Sequence, residues 1–110
     1  MRRSSDFATV VRTGARARRG SIVVHHAVLS SADEPAPAPL VGLVVGRSVG
    51  NSVVRHAVSR RLRAQLSARL DMLARGTGTV VRALPGADTA TSADFGRDLD
   101  AALAKIAVRR

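Results

Sequence analysis

The pattern of apolar and polar positions predicts three helices. Phe7 and Val10 have helical spacing and follow a Ser-Ser-Asp sequence that can cap a helix, so we predict a short helix over residues 4–13. A longer helix is predicted from Asn51 or Ser52 to about Leu73. Ser92 is expected to cap a last helix. Its apolar positions lie on one face: Phe95, Leu99, Ala102, Leu103 and Ile106.

Three other segments have the continuous apolar or β-branched composition that is typical of strands. They are residues 21–29 (SIVVHHAVL), 40–45 (LVGLVV) and 79–84 (TVVRAL). Residues 30–39 (SSADEPAPAP) hold three of the four prolines and are expected to form an exposed loop. The strands on either side of this loop could form a hairpin with a long connection.

The predicted order of elements is αββαβα, and a chain of 110 residues fits one domain over residues 1–110. We therefore predict an α/β fold, a two-layer sandwich in which helices pack on a small mixed sheet. No apolar run approaches the roughly 18 residues that a membrane helix needs, and no signal-peptide core is present. We expect a soluble, cytoplasmic protein.

The chain carries a net charge of +10, and all but one of its 18 basic residues are Arg. The Arg guanidinium can donate two hydrogen bonds to one phosphate, although codon composition would explain the Arg bias equally well. Two segments carry the excess: residues 1–20 with a net charge of +5 and residues 46–76 with +6. If these segments lie side by side, they form one positive surface. Nucleic acid is then the first expected partner and an anionic membrane the second.

The composition excludes several kinds of site. The chain has no Cys, so disulfides, thiolate metal sites and a Cys nucleophile are excluded. Phe7 and Phe95 are the only aromatics and are too far apart for the aromatic pair of an RRM domain. His25 and His26 should point to opposite faces of a strand and cannot bind one metal ion together. We predict no metal site and no catalytic residue in the protein.

The helix predicted over residues 51–73 carries the candidate nucleic-acid-binding positions. At about 100° per residue, five of them fall within roughly 140° of one another: Arg55, His56, Ser59, Arg60 and Arg63. Val54 and Val58 lie on the opposite side, and Arg61 points toward the edge of that buried side. The basic positions are confined to the first two or three turns, where the helix dipole and unpaired N–H groups add positive potential. An anion would find side-chain, backbone and dipole contributions together.

The segment over residues 49–63 (VGNSVVRHAVSRRLR) resembles the signature V-G-x-A-V-x-R-N-x-x-K-R-x-x-R of the bacterial ribonuclease P protein family. Arg55, Arg60 and Arg63 stand at the Arg positions of that signature. His56 and Ser59 replace its Asn and its Lys.

The resemblance extends beyond this segment. Phe7 matches an Asp-Phe pair in the family's first helix, and residues 12–20 are similar to its basic loop into the first strand. Arg47 and Ser48 stand where the family has two basic residues. The resemblance implies a fold shared with a ribosomal-protein domain. In that fold the long helix forms a left-handed βαβ crossover, opposite to the general rule.

The resemblance also implies a function. Members bind the catalytic RNA of ribonuclease P and, with it, remove the 5′ leader of precursor tRNA endonucleolytically to give the mature 5′ end. The hydrolysis takes place on the RNA with Mg²⁺ at the RNA active site, and protein side chains alone bind no cofactor. The expected partners are ribonuclease P RNA and precursor tRNA, with one monomeric protein per RNA and no membrane.

Two sets of site residues follow from the helix face and the resemblance. The residues expected to contact the catalytic RNA are Arg47, Asn51, Arg55, His56, Ser59, Arg60, Arg61 and Arg63. Those expected to contact the leader, in a cleft between the first helix and the sheet, are Phe7, Arg12, Arg16, Arg18 and Arg19, the last three in a basic loop. Phe7 would either stack on a base or belong to the core.

Two other functions remain open at this point. The chain could be a generic nucleic-acid-binding or ribosome-associated module with no role in tRNA processing, which would bind duplex DNA or ribosomal RNA equally well. It could also be a nuclease acting alone, although the sequence offers no residue cluster that would activate a water molecule.

Overall fold

The computed structural model describes residues 4–29 and 38–109, without the side chains of residues 4–7 and 107–109. Within these ranges the chain forms three helices, four strands and two short 3₁₀ turns, at Leu70–Met72 and Ala87–Thr89. The helices are α1 (Ser4–Thr13), α2 (Ser52–Ser67) and α3 (Ser92–Arg109). The strands are β1 (Ala15–Arg19), β2 (Ile22–Val28), β3 (Leu40–Val44) and β4 (Thr77–Ala83). Most of the predicted Pro/Ala loop, residues 30–37, lies outside the described residues.

The four strands form one mixed sheet in the order β1-β2-β4-β3. β2 pairs antiparallel with β1 and with β4, whereas β3 pairs parallel with β4. The predicted α/β fold with a small mixed sheet is therefore confirmed. The connection from β3 through α2 to β4 is a βαβ crossover, whose left-handedness stays a prediction.

Several details of the prediction are wrong. Arg16, Arg18 and Arg19 belong to β1 rather than to a loop, because this segment pairs with β2 and buries Ala17. The suggested hairpin of β2 and β3 does not form, because β4 lies between them. The second helix ends at Ser67 rather than near Leu73, and a 3₁₀ turn follows it.

The two faces of the sheet are covered differently. α2 and α3 cover the first, which we call the core face: Ala17, Ile22, Val24, Val81 and Ala83 pack there against Val58, Leu62, Leu66, Phe95 and Leu99. α1 contacts β2 and β4 from the other side, which we call the α1 face. Its Val10 is fully buried and lies so close to Gly78 that a Cβ on that glycine would fall 2.6 Å from the Val10 Cγ2. Every helix is thus fixed to the sheet by an apolar contact.

A capping box fixes the start of α3. The Thr91 Oγ1 accepts a hydrogen bond from the Asp94 backbone N–H (3.0 Å), and the Thr91 N–H donates to the Asp94 carboxylate (2.9 Å). These hydrogen bonds hold the pKa of Asp94 below its usual value. Ser92, predicted to be the cap, is the first helical residue, and its Oγ accepts from the Gln65 Nε2 of α2 (2.8 Å).

Arg69, just beyond α2, ties that helix to α3. Its guanidinium donates to both carboxylate oxygens of Asp100, at 2.7 and 3.1 Å, and this pairing lowers the pKa of Asp100. Arg69 therefore belongs to the interface between the two helices and not to an exposed basic surface. No helix of the described residues is long and apolar enough to cross a membrane.

Candidate nucleic-acid interface

The N-terminus of α2 is formed as predicted. The Asn51 Oδ1 accepts a hydrogen bond from the Val54 N–H (3.0 Å), so this side chain is the helix cap. The first turn contains no acidic residue that would offset the positive end of the helix dipole. The cap and the dipole therefore leave a positive helix end beside the exposed Arg47, which lies in the preceding turn.

The exposed side of α2 is basic. Val58, Leu62 and Leu66 form an i, i+4 row that is buried against the sheet and α3. On the opposite side His56, Arg60 and Arg63 are exposed. We call these three residues the basic face of α2.

Arg55 and Ser59 lie at the border of the basic face rather than on it, since both are half-buried beside the apolar row. The Arg55 Nε is buried and has no hydrogen-bond partner among the described residues. An unpaired buried donor costs on the order of 1–3 kcal/mol, more when the group is charged. This N–H is therefore a donor for which the described part of the chain supplies no acceptor.

Arg61 is directed away from the other arginines of α2, as its helical position predicted. It is half-buried, and its Nη1 donates to the Ala90 carbonyl (3.4 Å) in the segment before α3. Arg61 contributes charge to this end of the molecule but does not share the basic face.

No acidic side chain neutralises the basic face within the described residues. The salt bridges from Arg69 to Asp100 and from Arg97 to Asp94 lie outside this surface. A groove of about 380 Å³ lies directly on the basic face and is lined by Ser52, Val53, His56, Ala57 and Arg60. The arrangement provides a concave, positively charged surface at a helix N-terminus.

A second group of basic residues lies on the α1 face. Arg16 and Arg18 are exposed and stand opposite His25 and Val23 of β2. Because side chains alternate along a strand, Arg19 points to the core side of the sheet and is separated from these two. Arg12 is exposed in the last turn of α1. The side chain of Phe7 lies outside the described residues.

Sequence analysis missed two further residues of the α1 face, His25 and Arg82. Arg82 is exposed and pairs in register with Val23, next to His25. His25 is 2% exposed, and neither of its ring nitrogens has a hydrogen-bond partner among the described residues. Burial lowers the pKa of His25, and the nearby Arg82 and Arg16 lower it further. The imidazole is therefore neutral at pH 7, with one N–H donor and one acceptor unused.

His26 has a different environment on the core face. Its Nδ1 is hydrogen-bonded to the Thr79 Oγ1 (2.8 Å), and the ring is buried. The prediction that His25 and His26 lie on opposite faces is confirmed. The described residues contain no group of three His, Asp or Glu side chains that could hold a metal ion.

Comparison with known proteins identifies the family. The profile described as Ribonuclease P matches residues 1–107. The ribonuclease P protein component of Streptomyces griseus is 50% identical to this chain, over 96% of the chain and 89% of its own length.

Two solved structures share the fold. The ribonuclease P protein of Staphylococcus aureus has a TM-score of 0.75 at 19% identity, over 96% of this chain and 94% of its own. A mutant of that protein with defective mRNA degradation activity has a TM-score of 0.77 at 18% identity, over 96% and 85% of the two chains. The profile match and the close relative together show that this chain belongs to the ribonuclease P protein family.

Proposed function

We propose that this chain is the non-catalytic protein subunit of ribonuclease P, binding the catalytic RNA through the basic face of α2 and the 5′ leader of precursor tRNA through the α1 face. Membership of the family supports a role in ribonuclease P and a partnership with its RNA. The assignment of the two surfaces is our own inference from their geometry and charge.

The observation that carries the proposal is the uncompensated basic face of α2, which runs from His56 in the second turn to Arg63 in the third. Arg60 and Arg63 are exposed there, and no acidic side chain of the described residues pairs with them. RNA phosphates would accept hydrogen bonds from these guanidinium groups. His56 can donate one further hydrogen bond.

Arg55 fits the same proposal from the border of that face. Its buried Nε–H has no acceptor among the described residues, and a phosphate oxygen would supply one if the Arg55 side chain moved toward the surface on RNA binding. The pairing would offset the cost of burying the donor, so Arg55 is expected to gain more from bound RNA than from water. Arg47 and Arg61 would contribute through their charge rather than through a shared contact.

On the α1 face, we propose that Arg16, Arg18 and Arg82 bind the phosphates of the leader. The strand register supports this grouping, since Arg18 and Arg82 lie on either side of Val23 and Arg16 lies opposite His25. Single-stranded RNA is commonly held in a groove whose cationic side chains follow its backbone.

The chemistry in this proposal belongs to the RNA, which holds the Mg²⁺ ions. The protein supplies positive charge next to the RNA and the leader, and that charge reduces the repulsion between two polyanions that must lie side by side. It does not activate the attacking water.

A competition assay at matched salt tests the choice of RNA partner. The chain should bind a bacterial ribonuclease P RNA more tightly than it binds duplex DNA or a ribosomal RNA fragment of equal length. Equal affinity for all three would favour a generic nucleic-acid-binding module instead. Incubation of the purified chain with precursor tRNA and Mg²⁺, without the RNA subunit, tests for a nuclease acting alone, and we expect no cleavage.

The leader surface requires a separate test, because it can fail while the RNA partner is correct. The holoenzyme should bind precursor tRNA more tightly than mature tRNA, and Arg18→Gln should reduce that difference without changing the affinity for mature tRNA. Lys105→Gln, on α3, serves as the control for the loss of one exposed positive charge. An Arg18→Gln holoenzyme that retains the full difference would remove the α1 face from leader binding.

A further inference from the structure

β3 is an edge strand whose outer side has no partner in the described residues. The sheet order places β4 on one side of β3 and no strand on the other. The alternate N–H and C=O groups of β3 that point away from β4 are therefore available to an added strand.

The two edges of the sheet differ in how they oppose strand addition. β1 carries three Arg among its five residues (ARARR), and α3 contacts it. β3 has the sequence LVGLV, with neither a charged residue nor Pro between Leu40 and Val44. Charged side chains and Pro are the usual means by which proteins protect an edge strand, so β3 is an unprotected edge.

An apolar groove of about 250 Å³ runs beside this edge, between β3 and the end of α2. Its walls are formed by Val41, Gly42, Leu43, Arg63, Leu66, Ser67 and Leu70. Leu70 is 43% exposed although its side chain is apolar. A strand added to β3 would direct alternate side chains to the core face, where this groove can receive them.

Charge indicates the kind of strand that fits. Arg63 is exposed at the groove, and none of the residues that line it is acidic. A second copy of this chain would bring another net charge of +10 to the same place, and RNA has no peptide groups to pair with the edge. An extended peptide with an acidic residue and alternating apolar residues matches both the edge and the groove.

We propose that the β3 edge and its groove bind an extended segment of a protein partner by strand addition, with alternate apolar side chains in the groove and an acidic side chain on Arg63. The site lies at the end of α2 opposite to its capped N-terminus. Arg63 also belongs to the basic face, so an RNA phosphate and the acidic side chain of the partner would compete for its guanidinium, whereas the β3 edge and the other residues of the groove lie outside that face.

Titration of the isotope-labelled full chain with short synthetic peptides, followed by NMR, tests this proposal. The probe is an acetylated and amidated peptide of sequence Asp-Val-Thr-Val-Thr-Asp. One control peptide has Lys in place of both Asp residues. The other has Pro in place of the second Val, at position 4 of the peptide, which removes a backbone N–H donor. The acidic peptide should shift the amide signals of Leu40–Val44 at concentrations of about 1 mM or below, and both controls should bind at least about tenfold more weakly.

Two exposed positions of the same 3₁₀ turn give a matched pair of variants. Leu70→Gln should weaken the binding of the acidic peptide, because Leu70 lines the groove. Met72→Gln should leave this binding unchanged, because Met72 lies outside the groove. The proposal is overturned if the acidic peptide leaves the Leu40–Val44 signals unchanged, or if both variants respond alike. The proposal is also overturned if the chain self-associates and Leu70→Gln abolishes that association, because the occupant of the groove would then be a second copy of the chain.

Discussion

Replacing Arg60 with Gln should remove one phosphate contact from the basic face of α2 without disturbing the fold. Arg60 is exposed, and no hydrogen bond or salt bridge among the described residues holds its guanidinium. Gln is a good helix former of similar length, so the stability of α2 should change little. The change therefore isolates the interaction with RNA.

The size of the effect follows from counterion release. One lost contact should lower the slope of log K against log salt by about 0.7 to 0.9. If the two proteins bind equally at about 1 M salt, affinity should fall by about four- to sixfold at 0.15 M and by about eight- to fifteenfold at 0.05 M. A loss that grows as salt is removed distinguishes a phosphate contact from a structural defect.

The assay is equilibrium binding of a labelled bacterial ribonuclease P RNA over this range of salt. Arg60→Lys should keep the slope, since the charge remains, and Lys105→Gln on α3 should keep both slope and affinity. An unchanged slope for Arg60→Gln would remove the basic face from the RNA interface. An equal loss at every salt concentration would contradict the phosphate contact.

Three predictions concern stability, measured by denaturant unfolding. Because the pKa of His25 is lowered in the folded chain, the unfolded chain binds a proton more readily than the folded chain does. The free energy of unfolding should therefore be highest above about pH 6.5 and should decline as the pH falls toward the folded pKa. His25→Gln should lack this decline. Thr91→Ala should cost about 1 kcal/mol, because it removes the hydroxyl that caps α3 at Asp94, and an unchanged midpoint would exclude the capping role. Gly14→Ala should cost about 1–3 kcal/mol, because its methyl group would lie 2.5 Å from two backbone carbonyl oxygens, and a variant as stable as the parent would contradict that crowding.

Elements with local signals were predicted well from the sequence. α1 has apolar residues at helical spacing and the start of α2 has a capping residue, and both signals act within one or two turns. β1 has no such signal, because ARARR has the composition of a solvated loop, and only pairing with β2 makes it a strand. The sheet order was not predictable either, since the insertion of β4 between β2 and β3 depends on contacts distant in sequence.

The same distinction applies to the candidate site. Helical angles correctly separated Arg61 from the exposed Arg60, because both lie on one regular helix. The half-burial of Arg55 fits its place three residues before Val58 and seven before Leu62, beside the apolar row, which the grouping of basic positions within roughly 140° did not separate from the exposed ones. His25 and Arg82 come from different strands and meet only through the register of β2 with β4, for which the sequence has no local signal.

The most direct test of the proposed function is reconstitution. The purified chain is added to a bacterial ribonuclease P RNA at a magnesium concentration too low for the RNA to act alone, and cleavage of the precursor tRNA leader is followed. The parent chain should restore cleavage at the mature 5′ end, and a variant with Gln at Arg55, Arg60 and Arg63 should restore much less. If the parent chain fails to restore cleavage, the proposed function is wrong. If the triple variant has been shown to fold and restores cleavage equally, the proposed role of the α2 arginines is wrong.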